Sequence, residues 1–66
     1  MDKMRFFIDS DKTEKLIYSF NSNNLIVPHL GADVIVNDKI YYVTDVVVAY
    51  DDDAQSVDVM VEEVDL

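Results

Sequence analysis

The chain has no cysteine and no tryptophan, and its 66 residues include one glycine, one proline and one histidine. Without cysteine there are no disulfides, so a hydrophobic core alone must hold this small domain together. With His29 as the single histidine, a histidine-rich metal site and a cysteine–histidine catalytic pair are both excluded. We therefore interpret His29 as a turn residue and expect no enzymatic activity, no catalytic residue and no cofactor.

Long apolar runs are also missing. The longest one extends from Val46 to Tyr50, whereas a membrane-spanning helix needs roughly 18 consecutive apolar residues. The first residues carry scattered charge and lack the apolar region of a secretory signal. The sequence therefore predicts a cytoplasmic protein without a membrane partner, and the absence of cysteine agrees with that compartment.

Basic residues are absent after Lys39, although acidic residues continue to the end of the chain. Residues 1–15 hold both signs in equal number, so the net charge of -9 arises from residues 16–66. Half of the chain is hydrophobic, which is too apolar for a disordered acidic tail. The acidic residues therefore belong to a folded domain. Their excess over basic residues disfavours direct binding to nucleic acid, because the phosphates would be repelled.

β-branched and aromatic residues dominate the apolar set, which favours strands over helices. Two apolar runs, Met4–Ile8 and Leu16–Phe20, flank a polar stretch at residues 9–14 and predict a first hairpin. A short helix over residues 10–20, capped by Ser10, is the alternative. The strand is favoured because a spacing of two places three large side chains of the second run on one side: Leu16, Tyr18 and Phe20.

The single proline and the single glycine fall together in residues 28–31. This predicts a type I turn with Pro28 at its second position and Gly31 at positive φ. The polar residues 21–24 before it predict a loop between the two halves of the fold.

Two further hairpins are expected. Asn37 and Asp38 predict a two-residue turn between apolar runs, and an acidic turn at residues 51–55 separates Val46–Tyr50 from Ser56–Glu62. The last strand alternates, with Val57, Val59 and Val61 on one face and Asp58, Met60 and Glu62 on the other, where these three are expected to lie along one outward edge.

The alternation of apolar residues shifts by one position near Thr44 and Asp45. A β-bulge at this point would restore the phase, and bulges supply the bend that rolls a sheet. About five short strands in so small a chain predict one all-β domain over residues 1–66. Its expected form is a small SH3-like barrel or a rolled antiparallel sheet.

The order of turns and valines over roughly residues 25–64 resembles small, uncharacterised β-rich proteins encoded by phages and mobile elements. The resemblance rests on the Pro-x-x-Gly turn, the turn at residues 37–39, the acidic loop, and the residues Val34, Tyr41, Val43, Val46, Val57, Val59 and Val61. The resemblance implies the rolled fold and a phage-like setting, and it implies no particular activity.

The carboxylates of the C-terminal hairpin are the candidate partner-binding residues, with one apolar residue among them: Asp45, Asp51, Asp52, Asp53, Asp58, Met60, Glu62 and Glu63. Alternate residues of a strand repeat about every 6.6 Å, which is on the scale of phosphate spacing along a nucleic-acid strand. The sequence therefore predicts a protein partner with a basic surface. The sharper hypothesis is a phage-encoded inhibitor that mimics DNA and occupies the nucleic-acid site of a host enzyme.

Other interpretations of the same acid stay open. The acidic face could serve solubility alone, in a structural or assembly module such as a phage component or a homodimer. In that case Met60 would pack across the dimer or under a loop rather than anchor a partner. Asp51, Asp53 and Asp58 could bind an ion weakly, but the segment lacks the glycine of an EF-hand loop. Catalysis by paired carboxylates is disfavoured because so small a hairpin offers no cleft for a substrate.

Overall fold

The computed structural model describes residues 2–10 and 13–64, which form one five-stranded sheet. Its strands are β1 (Asp2–Ser10), β2 (Thr13–Ser22), β3 (Asp33–Val36), β4 (Lys39–Tyr50) and β5 (Gln55–Glu63). The prediction of an all-β chain is confirmed. The alternative helix at residues 10–20 is wrong, because β1 reaches Ser10 and β2 begins at Thr13. None of the described residues belongs to a helix that could span a membrane.

The strands follow the order β2-β1-β5-β4-β3 across the sheet. The sheet curls into a half-barrel, so the predicted rolled sheet is confirmed. One pairing is parallel, that of β1 with β5, and the others are antiparallel. The sheet is therefore mixed, and not antiparallel throughout as predicted. Four of the eight candidate residues lie on β5, which is the central strand of the sheet. The expectation that Asp58, Met60 and Glu62 line an outward edge is therefore wrong.

The core lies on the inner, concave face of the sheet. The buried side chains among the described residues are all apolar: Met4, Phe6, Val36, Tyr41, Val43, Val57, Val59 and Val61. The three valines of β5 have no exposed surface, while Glu62 is exposed, so the predicted alternation of β5 is confirmed. Burial of each valine stabilises the fold by about 1.5–2 kcal/mol.

The first hairpin contains a bulge that the sequence did not reveal. Phe6 pairs with Tyr18 and Phe7 pairs with Leu16, so Ile17 is an extra residue of β2. Directly paired residues place their side chains on the same face, and Tyr18 therefore shares the inner face with Phe6 while Leu16 lies on the outer face with Phe7. The prediction that the three large side chains of β2 share one side is wrong for this reason.

The bulge predicted in β4 is confirmed. Val43 pairs with Val61 and Asp45 pairs with Met60, which leaves Thr44 as the extra residue. The hydroxyl of Thr44 donates a hydrogen bond to the carbonyl oxygen of Met60 at 3.2 Å. The bulge keeps valines from both halves of β4 against one core.

Residues 23–32 connect the two opposite edges of the sheet. Leu25 and Val27 pack against the core, so the segment crosses the inner face. The polar loop expected at residues 21–24 is shorter than predicted, since its first two residues end β2.

The turn before β3 differs from the predicted one. The Ala32 N–H donates to the His29 carbonyl oxygen at 3.0 Å, and Gly31 has a φ of 86°. Gly31 is thus the third residue of a turn with type II geometry. Pro28 lies before the turn, so its predicted position is wrong, whereas the positive φ of Gly31 is confirmed.

Substitutions at two turn positions are expected to change stability in opposite directions. The two-residue turn predicted before β4 is confirmed, and both of its residues have positive φ, 50° at Asn37 and 68° at Asp38. Asp38→Gly removes the strain of a side chain there and should raise the free energy of unfolding by about 0.5–1 kcal/mol. Gly31→Ala should lower it by about 1 kcal/mol. Thermal unfolding checks both, and the strain interpretation fails if the two variants shift Tm in the same direction.

Candidate protein-binding surface

The turn between β4 and β5 holds three adjacent carboxylates, which we call the acidic turn: Asp51, Asp52 and Asp53. All three are exposed. The Asp51 N–H donates to the Ala54 carbonyl oxygen at 2.9 Å, which closes the turn. The Asp2 carboxylate accepts a hydrogen bond from the Gln55 N–H at 2.9 Å and adds a fourth negative charge close by. Within residues 2–10 and 13–64 no cation pairs with the acidic turn.

The charge of Asp58, in contrast, is compensated. Arg5 on β1 donates from Nε to Oδ1 at 2.8 Å and from Nη2 to Oδ2 at 2.9 Å. The hydrogen bonds that Arg5 donates to Asp58, followed by the electrostatic attraction of that carboxylate, raise the pKa of Arg5 above its ordinary value. Asp58 therefore contributes little net charge to the surface.

Met60 lies on the outer face, in one cross-strand row with Phe7 and Asp45. It is half-buried, because Phe7 flanks it on β1. The guanidinium of Arg5 stacks over the ring of Phe7 at 5.3 Å from its centre. Met60 thus belongs to a small apolar strip on the outer face and does not stand alone among carboxylates.

The last two candidates lie on opposite faces of the sheet. Glu62 pairs with Tyr42 on the outer face, and Glu63 pairs with the buried Tyr41. The Glu63 carboxylate is 3.9 Å from the ammonium group of Lys39, and both side chains are mostly exposed. This contact is weak, since exposed ion pairs contribute little.

The eight candidate residues do not form one cluster. Asp45, Asp58, Met60 and Glu62 share the outer face, the acidic turn lies at one end, and Glu63 is on the inner side. They spread along a molecule whose longest dimension is 40 Å. Within the described part of the chain, no three acidic or histidine side chains are arranged to hold a metal ion.

Sequence reasoning missed two residues that shape this surface. Arg5 compensates Asp58, and Asp2 adds to the acidic turn. Each is 53 positions from its partner. The alternation of Lys3 and Arg5 with buried residues of β1 indicates a basic outer face there, but only the parallel pairing of β1 with β5 brings that face to Asp58.

Comparison with known proteins finds no significant match among family models, curated proteins or solved structures.

Proposed function

We propose that this chain is a non-enzymatic binding domain whose acidic surface attaches to a protein with a basic surface. The acidic turn supports this proposal most. Three adjacent carboxylates protrude from a closed hairpin, and the cations that form ion pairs in the described residues, Arg5 and Lys39, pair with other carboxylates.

The distribution of charge favours binding over solubility alone. A surface that only keeps a protein soluble mixes both signs, whereas residues 16–66 contain a single basic residue, Lys39. A one-signed field attracts a basic partner and accelerates encounter with it. A cytoplasmic location fits such a role.

The specific form of the proposal is a phage-encoded inhibitor that occupies the nucleic-acid-binding surface of a host protein. The acidic turn, Asp45 and Glu62 carry charge of the same sign as phosphates, and the net charge of -9 is large for so small a chain. Asp58 is excluded from this set because Arg5 compensates it. The resemblance to phage-encoded β-rich proteins supports the same setting.

Neutralising the acidic turn is expected to weaken partner binding strongly. The variant combines Asp51→Asn, Asp52→Asn and Asp53→Asn. Its matched control combines the Asp→Glu substitutions at the same positions, which retain the charge. Partners are captured from a bacterial lysate, and the affinity of each purified pair is then measured at low and high salt, with and without duplex DNA. The neutral variant should bind about tenfold or more weakly, and the control should bind normally.

The salt and competition arms test the nucleic-acid part of the proposal. Binding should weaken steeply as salt screens the charges, and duplex DNA should displace the chain. A partner bound equally well at high salt, or together with its DNA, overturns the inhibitor role. If the neutral and charged variants bind the partner with equal affinity, the acidic turn is not the contact surface.

A second candidate function is an assembly module that forms homodimers. The edge strand β2, 10 residues long, carries half-exposed Leu16 and Tyr18, and its sequence contains one acidic and one basic residue, Glu14 and Lys15. Two such edges could pair without strong repulsion. Light scattering that shows a tight dimer, lost on a proline substitution at Tyr18, favours this function over the first.

A further inference from the structure

The second edge strand, β3, borders a groove that the proposed function does not use. The groove has a volume of about 210 Å³ and lies between the first hairpin and the β3–β4 hairpin. Its lining residues are Phe6, Tyr18, Val34, Ile35, Val36 and Asn37. Because β2 and β3 are the two ends of the strand order, the groove marks the place where the half-barrel is not closed.

The outer side of the same edge carries exposed apolar residues, which we call the apolar patch: Ile35, Ile40 and Tyr42. Ile35 pairs directly with Ile40, and their exposed fractions are 72% and 38%. Tyr42, two positions along β4, is 45% exposed. Single exposed apolar residues are ordinary, but a contiguous group indicates an interaction site.

Carboxylates border the apolar patch. Asp33 and Glu62 flank Tyr42 on its two sides in one cross-strand row, and both are exposed. Within the described residues neither takes part in an ion pair. A partner that covers this patch must therefore bring positive charge beside its apolar side chains.

The backbone at this edge is held in place before any partner arrives. Gly31 N–H donates to the Val43 carbonyl oxygen at 2.9 Å, and Val43 N–H donates to the Ala32 carbonyl oxygen at 2.9 Å. These bonds extend the pairing of β3 with β4 beyond Asp33. A fixed edge lowers the entropic cost of adding another strand.

We propose that an extended segment of a basic partner protein adds to the free edge of β3 as a sixth strand. In such an addition, backbone hydrogen bonds supply affinity and alternate side chains supply specificity. A residue of the added strand beside Ile35 faces outward and should be apolar, and the outward residue beside Asp33 should be lysine or arginine. The residue between them faces inward and fills the groove with an apolar side chain. This inference rests on the proposed function for the basic character of the partner.

A second copy of the chain fits this edge poorly. Each copy carries a net charge of -9, and β3 with its flanking turn contributes Asp33 and Asp38. Pairing of two β3 strands would bring these carboxylates together without compensating cations, and like charges on adjacent strands destabilise a sheet.

The pentapeptide Lys-Val-Val-Val-Lys, with blocked ends, is a suitable probe because it places valine beside Ile35 and lysine beside Asp33 in either direction. Backbone amide shifts of the isotopically labelled full chain locate the peptide and give its Kd. We expect the shifts to concentrate at β3 and the groove. The peptides Lys-Ser-Ser-Ser-Lys and Glu-Val-Val-Val-Glu should each bind at least about fivefold more weakly, because the first lacks apolar side chains and the second lacks positive charge.

Variants separate this edge from the rest of the surface. Ile35→Thr and Asp33→Asn should each raise the Kd of the probe by roughly threefold to fivefold. Leu16→Thr is the matched control, since Leu16 is an exposed aliphatic residue of the other edge strand (50% exposed), and it should leave the Kd unchanged. Shifts confined to β2 or to the acidic turn, or equal binding of the serine peptide, overturn the proposal. So does a dimer of the chain that Ile35→Thr dissociates, because a second copy would then occupy the edge.

The inference and the proposed function fail in different ways. If a captured partner is lost with the neutral acidic turn but retained by Ile35→Thr, the β3 edge is not its docking site and the proposed function stands. If Ile35→Thr and Asp33→Asn weaken the captured partner while the neutral acidic turn does not, the contact is at β3 and the acidic turn is not the binding surface.

Discussion

The substitution Val59→Asn is expected to unfold the protein, whereas Met60→Asn is expected to leave it folded. Val59 is fully buried at the centre of the central strand, between Phe6 on β1 and Val46 on β4. The substitution removes about 1.5 kcal/mol of apolar burial and leaves an amide without partners, at a further cost of about 1–3 kcal/mol. Chains of this size hold only about 3–5 kcal/mol of stability.

The adjacent position supplies the control for this effect. Met60 is half-buried on the outer face, where an asparagine side chain can reach water. Urea unfolding followed by far-UV circular dichroism compares the two variants with the parent chain. Met60→Asn should retain a cooperative transition, and Val59→Asn should show little folded signal even without urea. Similar midpoints for both would mean that β5 does not have one buried and one exposed face.

This contrast rests on a feature that the sequence alone predicts. An alternation of period two needs only neighbouring residues to be recognised, and in β5 it coincides with full burial of the valines. The same local logic predicted the bulge at Thr44 and the turn at Asn37 and Asp38, because a shift of phase and a pair of turn residues are visible within a few positions.

Features that depend on distant partners could not be predicted in this way. The parallel pairing of β1 with β5 joins the first and last strands of the chain, and no local pattern specifies it. The bulge at Ile17 escaped because Leu16, Tyr18 and Phe20 fit a regular strand equally well. The register with β1 decides between the two.

The candidate surface likewise combines features that the local sequence predicts with features that depend on distant partners. A count of charges predicted the acidic turn, whose residues are adjacent in sequence. It could not show that Arg5 compensates Asp58, since 53 positions separate them. Nor did it draw attention to Asp33, which precedes Lys39 and lies beside the apolar patch only because β3 pairs with β4.

The two adjacent phenylalanines of β1 provide a test of that long-range arrangement. Their sequence gives no reason to prefer either one for the core. In the structure Phe6 is 8% exposed, its ring centre is 6.3 Å from that of Tyr18, and it lines the groove. Phe7 lies on the outer face, half-buried beneath Arg5.

Phe6→Ala is therefore expected to lower the free energy of unfolding by about 3–5 kcal/mol, as large-to-small substitutions in cores do. Phe7→Ala should lower it by about 1–2 kcal/mol, because it loses partial burial and a cation–π contact of about 0.5–1 kcal/mol. Urea unfolding compares the two variants. Phe6→Ala should show little folded signal even without urea, because its loss is about as large as the whole stability of a chain of this size, whereas Phe7→Ala should keep a cooperative transition with a lowered midpoint. Phe6 pairs with Val59, and Phe7 pairs with Met60. If Phe6→Ala and Val59→Asn each cost more stability than the substitution at the adjacent residue, Phe6 and Val59 lie on the same buried face of the sheet. A larger loss of stability for Phe7→Ala than for Phe6→Ala would mean that Phe7, and not Phe6, faces the core. Arg5 would then lie on the inner face too, away from Asp58.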